Sequence, residues 1–287
     1  MLNIGANKGY DARSFLERFD PAWRVTGQTW HQALRRHNAT FQLCGACGAC
    51  GERALWRASS GPSAGAVIAV EAEPKNAQLL VNVFDELGVR AHGGVVVHAA
   101  VTGPHAPATA YVPHAREAGV ETAVPNADAS RIMDGARDRQ TAVSTITVDK
   151  LLRTHRLRRV DLCLIDTEGQ DHAVLRGAEH ALRARALKII AFEYGGLWCF
   201  RQPNRACQRL EPILQMLAGH GYSCWWLGNS GDVARVDPSC ADIATRFWSN
   251  IGCVAESQLI AKMDALETMG ANAARRLLLR RATVASV

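Results

Sequence analysis

The sequence predicts an α/β fold: a doubly wound, mostly parallel sheet closed by an antiparallel strand. Three observations carry this. Short apolar runs alternate with helical patterns, as in "AVIAVEAEPKNAQLLVNVFDELG" (66–88) and again through the second half of the chain, which is what parallel strands joined by crossover helices require. Three of those runs end in acids: "VIAVE" in Glu71, "LCLIDTE" in Asp166 and Glu168, and "IIAFE" in Glu193. A glycine-bracketed loop, "GANKG" (5–9), follows the first apolar residues and precedes a helical pattern.

In chain order, Leu2, Asn3 and Ile4 read as a short strand into that loop, and "DARSFLERF" as a helix with Phe15, Leu16 and Phe19 on one face. Residues 20–64 break the alternation and read as an insertion. The run from Ala66 resumes with a buried strand, a proline at the helix start and a helix closed by Gly88. "GGVVVHAAV" is a third strand, "ATAYVP" pairs beside the sheet, and 116–140 is an irregular excursion over the active face. "STITVDKLL" is a short strand and a helix start, "VDLCLIDTEG" a buried strand, and "QDHAVLRGAEHAL" an amphipathic helix carrying Val174, Leu175 and Ala178. "LKIIAFEYGG" is the next buried strand, and in "RACQRLEPILQMLAGHG" Pro212 implies a kink or a late start. "YSCWWLG" and "SNIGCVAE" are two closing strands. The expected organisation is one domain over 1–255, with the insertion at 20–64, and a mobile helical tail over 256–287.

Composition is that of a globular protein, 48% hydrophobic and 21% charged, with a formal charge of +6. Much of the basic charge lies in "RTHRLRR" and "ARRLLLRR", which read as solvated helix faces, so no nucleic-acid partner is expected. No apolar run is long enough to span a membrane, and a charged start followed by an apolar segment is lacking, so the expected location is cytoplasmic. The three-residue first strand is short for a central position, and the reading is that the chain begins inside it. Of nine cysteines, Cys163, Cys199, Cys207, Cys224, Cys240 and Cys253 read as buried free thiols. Cys44, Cys47 and Cys50 stand at C-x2-C-x2-C spacing, but the fourth ligand of an iron–sulfur run is missing, and for zinc only His31 or His37 is near. No metal is expected.

In an open α/β sheet ligands bind outside the carboxyl ends of the strands, so the strand-end acids converge with the glycine loop on one crevice. An acid there is also an ordinary helix N-cap, so the coincidence of three is the signal. The loop is G-x-x-x-G, a poor pyrophosphate fingerprint, which counts against an NAD(P)-dependent oxidoreductase. A nucleoside with a ribose diol and a sulfonium charge needs small residues for close approach and a carboxylate for the diol. Glu71 stands where that carboxylate belongs, which points to S-adenosylmethionine.

With these motifs the sequence resembles the FkbM-type methyltransferases, a branch of the class I S-adenosylmethionine-dependent, Rossmann-like fold. The resemblance runs from residue 2 to about 194 on "NIGANKG", "AVEAEPKNAQLL", "STITVDKLL", and most specifically "IDTEGQDHAVLRGA" followed by "IIAFE". The pattern departs at Asn3, where the family has Asp, at Leu164, where it has Lys, and at Asp171, where it has Glu. The resemblance implies methyl transfer to a hydroxyl of a sugar, lipid or small metabolite. The cofactor residues it implies are Asn3, Gly5, Ala6, Asn7, Gly9, Glu71 and Asp166. The expected catalytic residues are Asp166, Asp171, His172 and Glu193, with Tyr194 walling the pocket. A non-catalytic nucleotide-binding scaffold is the other reading.

Overall fold

The computed structural model describes residues 1–41, 66–113, 115, 117–119, 140–195, 198, 208–228, 231–238 and 249–284, with side chains to residue 270 in the last stretch. Cys44, Cys47, Cys50 and most of the 116–140 excursion lie outside the described residues, as do Cys199, Cys207 and Cys240.

The strands are β1 (Leu2–Ile4), β2 (Ile68–Glu71), β3 (Val95–His98), β4 (Ala100–Val101), β5 (Thr109–Pro113), β6 (Gln140–Ile146), β7 (Val160–Ile165), β8 (Leu187–Tyr194), β9 (Ser223–Leu227), β10 (Val233–Arg235) and β11 (Ser249–Val254). The helices are α1 (Tyr10–Phe19), α2 (Gly27–Arg36), α3 (Pro74–Glu86), α4 (Val148–Thr154), α5 (Asp171–Arg176), α6 (Glu179–Arg183), α7 (Leu210–Gly219) and α8 (Ser257–Val284). Eight strands form one sheet in the order β10-β9-β11-β8-β7-β1-β2-β3. From β3 to β8 every neighbouring pair is parallel, whereas β11 runs antiparallel to both β8 and β9. A small sheet, β4-β6-β5, stands beside it and takes in the "ATAYVP" strand.

Both faces of the main sheet are covered, which is why its central strands read as continuous apolar runs. Leu2, Ile4, Ile68, Val70, Cys163 and Ile165 point into a core built with α4 to α7, while Val67 and Ala69 point into a second core with α1, α2 and α3. Part of the segment read as an insertion belongs to this second core. Helix α2, capped by Thr26 on the Thr29 N–H at 3.1 Å, buries Trp30, Ala33 and Leu34. Arg36 and His37 at its end both bind Glu86 of α3.

Three local expectations change and one is narrowed. Phe19 is half exposed and stacks on Phe15 at 4.8 Å, because the chain turns away at Asp20 before its face reaches the core. The "QDHAVLRGAEHAL" pattern is two short helices, broken at Gly177–Ala178. Helix α7 takes the late start, opening at Leu210 with Pro212 in its first turn, where a missing N–H costs nothing. Cys224 and Cys253 are not free thiols: they face each other across β9 and β11, and the antiparallel register joins them in a disulfide. Cys163 is a buried free thiol, as read. With its ends 29 positions apart in sequence, the cross-link contributes about 2–4 kcal/mol by restricting the unfolded chain. Reduction, or Cys224→Ser, should therefore lower the calorimetric melting temperature by roughly 5–10 °C. An unchanged transition in dithiothreitol would show the bond to be thermodynamically idle. Among the described residues no helix is long and apolar enough to cross a membrane.

Candidate active site

The chain order reverses between β1 and β7. From β1 it winds outward through β2 and β3, and from β7 outward through β8. Such a switch point leaves a crevice at the carboxyl ends of the strands, and here it falls between the glycine loop and Asp166.

The loop is held by the strands on both sides. Gly5 and Ala6 donate to the Val70 carbonyl at 2.9 and 3.1 Å, and the Asp166 N–H donates to the Ile4 carbonyl at 2.9 Å. Gly5 has φ +81°, and a Cβ there would lie 1.7 Å from the Asp166 carbonyl oxygen. Glycine is thus demanded by the approach of β7's end. Gly9 packs on Trp30, whose indole N–H donates to the Lys8 carbonyl at 2.9 Å. Helix α2 is therefore the support under the loop. Lys8, buried, donates its Nζ to the Gly119 carbonyl, and Gly119 donates to Asn76 Oδ1 at 2.6 Å. Glu73 caps α3 on the Asn76 N–H at 2.7 Å and also accepts from the Ala115 N–H at 3.3 Å. Ala115 and Gly119 are thereby strapped against the loop by the residues around Pro74.

Glu71, at the tip of β2, accepts from the Asn7 N–H on Oε2 and the Glu73 N–H on Oε1, both at 2.8 Å. Burial outweighs those bonds and pushes its carboxyl up to about 7. A further backbone hydrogen bond comes from Ala72, so of the four lone-pair sites on the two Glu71 oxygens one remains for a ligand hydroxyl. Asn3 sits beneath the loop, 1% exposed, its amide nitrogen without a partner among the described residues.

Across the switch point, Asp166 is open to solvent but walled by protein, the condition of a group lining a cleft, and burial raises its carboxyl. It hydrogen-bonds to Glu193 of β8, whose carboxyl is pushed well above the ordinary range, first by burial and then by the Asp166 charge. The hydrogen bond between the two carboxyls requires that the pair carry a proton, which burial and their mutual repulsion favour. Asp11, in the first turn of α1, is open in the same way and raised by burial and by Asp166. Sequence reasoning passed over it, although an acid directly after a ligand loop is a visible signal.

Asp171 is fully buried behind this front. Its carboxyl is pushed up to about 7 by burial and by Asp166, and it accepts from Thr167 Oγ1 at 3.0 Å and the Glu193 N–H at 3.2 Å. His172 is buried too, stacked 5.2 Å from Trp198 and driven down to about 4 by burial and Arg176, so it is neutral at physiological pH. Tyr194 is buried edge-on to the same indole at 4.8 Å. The structure therefore brings Gly5, Ala6, Asn7, Gly9, Glu71, Asp166 and Glu193 to one crevice, and sets Asn3, Asp171, His172 and Tyr194 under or behind it. Among the described residues no group of three or more His, Cys, Asp or Glu side chains could hold a metal ion.

The model of the methyltransferase FkbM domain matches residues 44–224, more than half of the chain. The protein belongs to the FkbM methyltransferase family. The match takes in Glu71, Asp166, Asp171, His172 and Glu193, and begins after the glycine loop. A crystal structure of methyltransferase FkbM from Methylobacillus flagellatus KT is similar at 14% identity and TM-score 0.41, over 88% of this chain and 42% of that one. The present chain thus spans less than half of that structure's length. No curated protein matches it. The architecture of this FkbM-family protein is the expected one, a large, mostly parallel sheet with helices on both faces and the antiparallel β11 set beside β8.

Proposed function

We propose that this FkbM protein binds S-adenosylmethionine at the switch point and transfers its methyl group to a hydroxyl of a sugar, lipid or small metabolite. The observation that supports the reading best is Glu71, a buried carboxylate fixed against the loop by the Asn7 N–H, one strand away from the Asp166–Glu193 pair. The donor set fits the cofactor's chemistry: Glu71 keeps a lone pair for a ribose hydroxyl, Gly5, Ala6, Asn7 and Gly9 let it approach, and Asn3 lies under them with its amide nitrogen unpaired among the described residues. When bound, the cofactor supplies a methyl group on a positively charged sulfur. The chain supplies the rest. Asp166, ionised while Glu193 holds the shared proton, takes the proton of the acceptor hydroxyl as the oxygen is alkylated. Its negative charge, with that of Asp11, also favours a cation in the crevice. Asp171 and His172, which the sequence placed among the catalytic groups, act from behind it.

Calorimetry with S-adenosylhomocysteine, followed by a methylation screen over glycans, lipids and hydroxylated metabolites, tests the proposal. Glu71→Ala should weaken binding about ten- to a hundredfold, the worth of a charge-assisted hydrogen bond. The diol needs the carboxylate form, so wild-type affinity should rise between about pH 6 and 8 as Glu71 ionises, and Glu71→Gln should flatten that rise. Equal affinity in Glu71→Ala and wild type would remove Glu71 from the site. The free protein follows the opposite course. Glu71 binds its proton more tightly folded than unfolded, so its contribution to stability falls as pH rises from its ordinary value through about 7.

A further inference from the structure

Strands β7 and β8 stay in register to the pair Ile165↔Phe192 and part at the next residue, where the crevice opens. A strand residue turns its N–H and C=O to the same side, so the Glu193 peptide groups face the point where β7 turns away, and past Ile165 no β7 N–H meets the Glu193 carbonyl. Two side chains bind these groups there. The Glu193 N–H donates to Asp171 Oδ1 at 3.2 Å, and the Glu193 carbonyl accepts from Trp198 Nε1 at 3.0 Å. The other oxygen of Asp171 accepts from Thr167, the residue after Asp166, at 3.0 Å. One sealed carboxylate therefore ties the segment that carries Asp166 to the segment that carries Glu193. Trp198, 1% exposed, is wedged among Phe192, Tyr194 and His172 and closes the bracket from the other end.

We propose that Asp171 and Trp198 are positioning residues that set the Glu193 carboxyl against Asp166 by binding the two peptide groups of Glu193 where β7 turns away. Asp171 is 0% exposed, so it has no surface to offer a substrate. The cost of leaving a buried peptide group unpaired explains why polar side chains stand at both places. The consequence for catalysis rests on the proposed function above, whereas the bracket itself is testable without it.

The test compares Asp171→Asn, Asp171→Ala and Trp198→Phe with wild type by two readouts: hydrogen exchange of the Glu193 amide, and titration of the Glu193 carboxyl in protein labelled with δ-13C glutamate. Asparagine keeps an oxygen for the Glu193 N–H and an N–H for Thr167 Oγ1. It should therefore leave the amide protected and the carboxyl titrating above the ordinary range. Alanine should speed exchange tenfold or more and let the carboxyl fall towards its ordinary value as it drifts from Asp166. Trp198→Phe, which removes the indole hydrogen bond with part of the ring's volume, should move both readouts the same way and serves if the alanine variant does not fold. A charge role for Asp171 would make the asparagine variant behave like alanine, and that result would overturn the proposal. So would unchanged exchange and titration in both Asp171→Ala and Trp198→Phe. Failure of the wild type to bind S-adenosylhomocysteine would sink the cofactor reading and leave these comparisons to decide the bracket by themselves.

Discussion

Gly5→Ala should lower the melting temperature by about 10 °C or more and abolish measurable S-adenosylhomocysteine binding. The added Cβ would stand 1.7 Å from the Asp166 carbonyl oxygen, at a backbone φ of +81°. The left-handed conformation alone costs a side chain about 1–2 kcal/mol. The clash is with backbone, which cannot swing aside, so relief requires β1 and β7 to separate where β1 has only three residues to hold it. Overpacking of that kind adds roughly 3 kcal/mol, and at about 2–4 °C per kcal/mol the sum is a shift of this size. Gly88→Ala is the matched control. It also has positive φ, +69°, but nothing lies within 4 Å of its Cβ, so it should show the conformational cost alone. Equal melting temperatures for the two variants would mean that the loop yields without cost.

Asp166→Asn should cut methyl transfer about a hundred- to ten-thousandfold, the usual worth of a positioned general base. An amide can accept the Glu193 hydrogen bond but cannot take a proton from the acceptor. Glu193→Gln should do far less harm, since its amide N–H can still donate to Asp166; its effect should be about tenfold or less. The ranking is the discriminating result. If Glu193→Gln is the more damaging of the two, the proton goes to Glu193 and the assignment within the pair is reversed.

The parallel sheet was legible because its central strands are apolar on both faces and end in acids, a pattern that survives without any tertiary information. The fronting carboxylates, Glu71, Asp166 and Glu193, were legible for the same reason. Depth was not. Asp171 and His172 stand beside Asp166 in sequence, yet the turn through Glu168 and Gly169, with φ of +53° and +100°, carries them behind the crevice, and no spacing rule reports that. Asp11 was visible after the ligand loop but was discounted, since an acid in a first helical turn is common. The support from Trp30 was hidden by distance: nothing in the run 20–41 says that an indole there will reach back to the carbonyl of Lys8. The disulfide was lost for a related reason, because the pairing of Cys224 with Cys253 depends on β11 entering between β8 and β9.

The two sides of the crevice share a core. Leu2, Ile4, Ile68 and Val70 of β1 and β2 pack with Cys163 and Ile165 of β7 against α4 to α7, while α1, α2 and α3 close the other face. The backbone seam between the two sides is narrow, β1 and β7 being paired over three residues. A ligand that touches the Glu71 loop on one side and the Asp166–Glu193 pair on the other acts as a latch across that seam. Its binding energy is then registered away from the site, as slower amide exchange along strands that it never touches.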